Sequence, residues 1–212
     1  GALHGIVGFI TAGVAASYGL SKHWILSNLL GESFAFNAIQ LLNIDRFITG
    51  IVLLSCLFFY DIFWVFGTEV MVSVARNFDA PVKVLWPKYI SEVLKKDFFV
   101  APENSLSLLG LGDIVIPGVY IAFCLKFDHF NYLNSSEGKK NPQNKDFPKP
   151  YFHVTLFAYI LGLITTYFVM IKFNAAQPAL LYLSPGCIIS SVGVAVALKQ
   201  LEEFWKFTTN ED

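Results

Sequence analysis

Neither charge is in excess in this chain: fifteen Lys and Arg stand against sixteen Asp and Glu over 212 residues. That balance argues against a basic face for nucleic acid and against an acidic domain. The three cysteines, Cys56, Cys124 and Cys187, lie in separate apolar runs with no CxxC or Cys/His spacing. A disulfide framework or structural zinc site is therefore not expected, and they read as small buried hydrophobes. No HExxH is present, and no GxSG-like serine stands opposite the four histidines, His4, His23, His129 and His153. Zinc-protease and serine-protease chemistry inside a membrane both lack their residues, and no metal or cofactor is expected. Charge is also missing from long stretches: residues 151–171 and 176–198 contain no Asp, Glu, Lys or Arg.

What is present is apolar and aromatic. Hydrophobic residues make up 55% of the chain and aromatic residues 16%, with a mean hydropathy of +0.55. This places the chain among polytopic membrane proteins. Hydrocarbon about 30 Å thick needs roughly 20 helical residues, and continuous apolar runs of that length satisfy their backbone as helices. Six candidate spans follow: residues 2–20, 23–42, 47–72, 105–125, 151–171 and 176–198. The second is weak, being interrupted by Asn28, Glu32, Asn37 and Gln40. The fold class expected is an all-α polytopic membrane protein. The first 20 residues lack the basic region of a secretory leader and read as a membrane segment entered partway, so N-terminal spans are expected to be missing.

Two polar connections, 76–104 and 126–150, are rich in proline and lysine and are expected to be mobile. Residues 199–212 form a polar tail. Its start could be an amphipathic helix with Phe204, Trp205 and Phe207 at the membrane interface, or simply solvated chain. Basic residues divide seven to eight between alternate connections, so the positive-inside rule does not orient the chain.

Within the span 47–72 the one acid near the middle is Asp61, and in 105–125 the only charge is Asp113. A charged group in hydrocarbon costs a few kcal/mol or more, which makes each acid a functional hypothesis in search of a partner. If both segments are helical and antiparallel, Asp113 lies eight residues from Ser105 and Asp61 eight residues from Glu69. Both acids would then sit about 12 Å below the same face. Two carboxylates brought together in low dielectric share a proton, which suits them to take a proton from water and polarise a carbonyl. The same depth match would also suit a proton-coupling pair in a transporter or channel, or polar contacts between helices. A catalytically silent binder of membrane segments is a further alternative.

The flanks narrow the choice. Tyr60 precedes Asp61, and Gly110-Leu111-Gly112 precedes Asp113, removing two side chains where another backbone could approach. Pro117 removes a helical hydrogen bond near that acid and should kink the helix. Gln177-Pro178-Ala179-Leu180 opens the last span. These motifs, Tyr60-Asp61, Gly110 to Asp113 and Pro178-Ala179-Leu180, in that order and each on its own span, resemble the presenilin-like GxGD-type intramembrane aspartyl proteases, and among them the signal peptide peptidase family.

The resemblance covers almost the whole chain. It implies a single protease domain over 1–212 forming the C-terminal part of a nine-span fold, with Asp61 and Asp113 as the catalytic pair. Tyr60, Gly110, Leu111, Gly112, Gln177, Pro178, Ala179 and Leu180 would then shape the substrate site. It also implies membrane-spanning substrates such as remnant signal peptides and type II segments, a lipid bilayer as surroundings, and residence in the endoplasmic reticulum. A homo-oligomer is compatible with this pattern.

Overall fold

In a computed structural model, the chain is described over residues 2–21, 23–67, 83–87, 106–142, 146–173 and 178–209. Six long helices fall on the six expected spans: α1 (Ala2–Ser21), α2 (Trp24–Leu41), α3 (Phe47–Gly67), α4 (Gly112–Asn134), α6 (Pro150–Phe173) and α7 (Leu180–Ala197). Between and after them lie the short helices α5 (Ser136–Lys140) and α8 (Leu201–Lys206). Three of the helices, over Phe47–Val65, Pro150–Lys172 and Leu180–Ala197, are long and apolar enough to cross a membrane by length and composition. Their large side chains are often turned outward, among them Phe59, Phe63, Phe157, Phe168 and Ile189. Such an outward apolar surface needs lipid rather than water. The chain is an integral, all-helical polytopic membrane protein in class.

One element departs from that pattern. The strands β1 (Lys83–Pro87) and β2 (Leu106–Gly110) pair antiparallel, with Lys83 opposite Gly110 and Trp86 opposite Ser107. The fourth helix thus begins at Gly112, not at Ser105, and Asp113 occupies its first turn. The expected count of eight helical residues from Ser105 to Asp113 does not hold. A short apolar run such as LSLLG is equally compatible with strand and helix, and the two flanking glycines disfavour a helix through them. At its other end α4 runs to Asn134, nine residues past the apolar stretch that ends at Leu125, and α5 follows at once. Much of the connection expected to be mobile is therefore helical. Of the 76–104 connection, only 83–87 lies within the described residues.

The chain divides into two compact units. One comprises residues 1–38 and 77–112, the other 39–76 and 113–212. In the first, α2 buries Ser27, Gly31 and Ala35, a small-residue stripe at helical spacing. In the second, α7 packs along both α6 and α3. Lipid offers helices no hydrophobic drive to associate, so close packing and hydrogen bonds must hold them. Gly162 on α6 provides the close packing: a Cβ there would stand 2.9 Å from Leu183 Cδ2 and 3.4 Å from the Leu183 Cα. Gly50 does the same for α3, since a Cβ would fall 2.8 Å from the Tyr120 ring. The Tyr120 and Ser191 hydroxyls lie 2.7 Å apart, and Ser191 Oγ already donates to Ile188 O, which leaves Tyr120 as the donor between α4 and α7.

An aromatic cluster closes one end of the second unit. Phe47 stacks on Phe204 with centroids 3.7 Å apart and meets Phe123 and Phe127 edge-on, while Tyr151 and Phe207 complete the group. The C-terminal residues are thereby drawn inward. Phe204 and Phe207 are buried, Thr208 bridges Arg46, and the Thr209 N–H donates to Asp45 O at 3.1 Å. The readings of an interfacial or solvated tail fail for these two rings, which prefer a packed cluster of rings to an interface; only Trp205 stays partly exposed.

Candidate active site

Asp61 lies on the inner side of α3, and only 7% of its surface is exposed. Its Oδ2 accepts the backbone N–H of Leu180 at 3.2 Å. That N–H is the first of α7, and Ala179, the N-cap residue, supplies no side-chain acceptor. The first N–H groups of any helix lack internal partners and attract negative charge. Asp61 therefore supplies from another helix the cap that the local sequence lacks. Pro178, Ala179 and Leu180 are all buried beside it. The Pro178 and Ala179 carbonyls begin the turn by accepting from Leu181 N and Tyr182 N.

Asp113 stands half-buried in the first turn of α4, where a helix N-terminus favours a carboxylate. Its peptide carbonyl accepts the Tyr159 hydroxyl of α6 at 3.4 Å. Because α6 packs against α7, and α7 begins at the residue bonded to Asp61, both acids belong to the same compact unit and are tied into one set of helices. Gly110 and Leu111 end the ribbon and turn the chain into α4, and Gly112 is its first residue. A Cβ on Gly112 would meet nothing within 4 Å. Tyr60 is 61% exposed, its ring 5.9 Å from that of Trp64, so it does not share the burial of Asp61. Gln177 lies outside the described residues.

Two residues that tie α4 to α6 were not singled out by the sequence, Tyr159 and Asp128. Tyr159 sits in an uncharged run and has nothing to distinguish it there from a lipid-facing ring. Asp128, only 2% exposed, accepts the N–H groups of Phe152 at 2.8 Å and Tyr151 at 3.3 Å, the start of α6. A signal for Asp128 did exist. The residues that lead into and open α6, Phe147-Pro148-Lys149-Pro150, contain no capping side chain, so an acceptor had to come from elsewhere. Asp128 lies beyond the apolar stretch that ends at Leu125. Burial pushes its carboxyl up to about 6, against the opposing pull of the Phe152 and Tyr151 N–H groups and of nearby His153 and Lys149. Among the described residues no group of His, Cys, Asp and Glu could hold a metal ion.

The chain is thus a helical membrane protein with an acid on each of two helices of one compact unit, one of them capping the turn of a Pro-Ala-Leu motif. The family profile described as signal peptide peptidase matches residues 3–211, and the chain belongs to the signal peptide peptidase family. It is 44% identical over 194 residues to the human protein named signal peptide peptidase, covering 92% of this chain and 46% of that one. Identity is 42% to intramembrane protease 2 of Caenorhabditis elegans, over 92% of this chain and 40% of the relative. It is 41% to a probable intramembrane protease of Schizosaccharomyces pombe, over 94% and 62%. The chain spans about half the length of the curated relatives it matches. No solved structure matches it.

Proposed function

We propose that this chain carries the catalytic half of an intramembrane aspartyl protease, with Asp61 and Asp113 as its acid pair and residues 1–212 acting as one protease domain. The observation that carries this reading is the bond from Leu180 N–H to Asp61 Oδ2. It makes the Pro178-Ala179-Leu180 turn part of the environment of one acid, as a substrate-shaping element must be. One acid, as carboxylate, takes a proton from water as it attacks the scissile carbonyl. The other, protonated, donates to the carbonyl oxygen; the first acid, now protonated, then gives its proton to the leaving amine while the second takes back a hydroxyl proton from the gem-diol. Two carboxylates brought close in low dielectric share a proton, which supplies one of each form.

The substrates in this reading are membrane-spanning segments, such as remnant signal peptides and other type II-oriented helices, which reach the acids from the bilayer. Tyr60, exposed beside Asp61, and the open side of Gly110, Leu111 and Gly112 would meet the unwound substrate, and Gln177 would flank Pro178. The endoplasmic reticulum membrane, where signal peptides are released, is the proposed location. Both acids lie on one chain, so the chemistry needs no second copy.

A transporter using the same acids would move ions without breaking peptide bonds. The deciding experiment incubates the purified full-length protein with a signal-peptide-like helix and follows products by mass spectrometry. Cleavage within the helix, blocked by an aspartyl-protease transition-state mimic, is expected, because such mimics bind through the geometry of the hydrated carbonyl. Ion flux with an intact peptide would overturn the reading.

A further inference from the structure

Pro117 lies inside α4, four residues after Asp113. A proline has no N–H, so the helical bond that residue 117 would give to the carbonyl of residue 113 cannot form. A carbonyl left over near a low-dielectric site costs free energy unless another donor reaches it. That donor is present: the Tyr159 hydroxyl of α6 points to Asp113 O at 3.4 Å. Two further contacts hold α6 beside α4. Thr155 Oγ1 lies 3.8 Å from Cys124 Sγ, and Asp128 caps the first turn of α6 through the N–H groups of Tyr151 and Phe152. From the first of these contacts to the last, the position on α4 moves toward its C-terminus and the position on α6 toward its N-terminus, as two antiparallel helices require.

We propose that Tyr159 is a positioning residue for Asp113: its hydroxyl replaces the helical donor that Pro117 cannot supply, while Asp128 keeps α6 in register for it. This rests on the reading of Asp113 as a catalytic acid. Pro117 removes one helical bond to the Asp113 carbonyl, and Tyr159 supplies another from α6, which packs along α7. The peptide of Asp113 is thereby referenced to α6 and α7 as well as to its own helix. A shift of an ångström in a reacting group can cost a hundredfold in rate, so such a reference has kinetic weight.

The test uses Tyr159→Phe in the full-length protein, a change that removes one hydroxyl and keeps the ring. The expected result is a fall in kcat of about tenfold with KM changed less than about twofold, as for an interaction that positions a catalytic group without binding substrate. In a Pro117→Ala background residue 117 regains its N–H, and the cost of Tyr159→Phe should shrink to less than about threefold. An equal loss in both backgrounds, or none in either, would overturn the proposal. A second measurement is independent of cleavage. Within these 212 residues, labelling Asp with carbonyl 13C and Ile with 15N selects only the Asp61-Ile62 and Asp113-Ile114 peptides, and an Asp61→Asn variant identifies the first of them. Tyr159→Phe should shift the Asp113 carbonyl resonance and leave that of Asp61 in place; an unmoved Asp113 signal would sink the inference. If the carbonyl moves but neither parent nor variant cleaves peptide, the positioning stands and the protease reading fails.

Discussion

Leu180 N–H donates to Asp61 Oδ2 at 3.2 Å, and this one bond joins two motifs 119 residues apart in sequence. It makes Asp61 the cap of a membrane helix, a demand added to its proposed one as half of an acid pair. Replacing Asp61 by Ala should therefore remove cleavage and also loosen the start of α7, whereas Asp113→Ala should remove cleavage alone. Loss of activity of at least about a thousandfold is expected for each, since neither acid can take the other's role. Amide exchange at Leu180 should rise in Asp61→Ala only. Turnover near that of the parent in either variant would end the dyad assignment.

The same bond depends on where α7 stops. Pro178 cannot donate a backbone N–H and hinders the chain from continuing the helix backward. With Pro178→Leu the helix can grow by a turn, and the Leu180 N–H would then turn to the carbonyl four residues before it. Asp61 would lose its partner. Cleavage should fall at least about tenfold with membrane insertion unchanged. Measuring both in the same vesicles checks it, and undiminished cleavage would show that the cap is dispensable.

Asp61 and Asp113 stood out because a charge in an apolar run is costly, and Pro178-Ala179-Leu180 because it repeats a family pattern. Apolar continuity places the start of α4 too early, because it does not distinguish the strand Leu106–Gly110 from a helix. The rings of Phe204 and Phe207 looked interfacial because their partners, Phe47 and Phe127, are remote in sequence. Tyr159 has no signature of its own in the chain, since its contact is to the backbone carbonyl of Asp113 on another helix. Long-range capping and carbonyl rescue leave no local signature, whereas intramembrane charge does.

Asp128 gives a pH dependence whose sign follows from its surroundings. Burial holds its carboxyl near 6 in the folded protein, above the ordinary value of about 3.9. The folded state thus binds this proton more tightly than the unfolded one. The stabilisation from this group is fully present below about pH 4 and is lost as pH rises through about 6. Asp128→Asn cannot titrate. The thermal midpoint of the parent minus that of Asp128→Asn, in one detergent, should fall between pH 4 and pH 7. A difference that rises with pH would mean that attraction to the helix N-terminus, His153 and Lys149 outweighs burial.

Gly50 and Gly112, on the helices that carry the two acids, should respond in opposite ways. At Gly50 a methyl group would fall 2.8 Å from Tyr120 Cδ2 and 3.4 Å from Ile44 Cδ1. Tyr120 is fully buried and bonded to Ser191, so its ring cannot swing away without losing that partner. Gly50→Ala should cost about 1–3 kcal/mol of stability through overpacking. Gly112 is different: a methyl group there meets nothing within 4 Å, and no glycine in the described residues has a positive φ. Neither packing nor backbone conformation explains a glycine at 112, and Ala is the better helix former. Gly112→Ala should therefore leave the thermal midpoint equal or slightly higher. Yet cleavage should fall at least about tenfold, and Gly112→Leu should lower it further, because the missing side chain leaves space for an unwound substrate beside Asp113. Thermal melts and single-turnover cleavage of the same preparations separate the two effects. If Gly112→Ala cleaves like the parent, the space beside this acid is not where substrate lies.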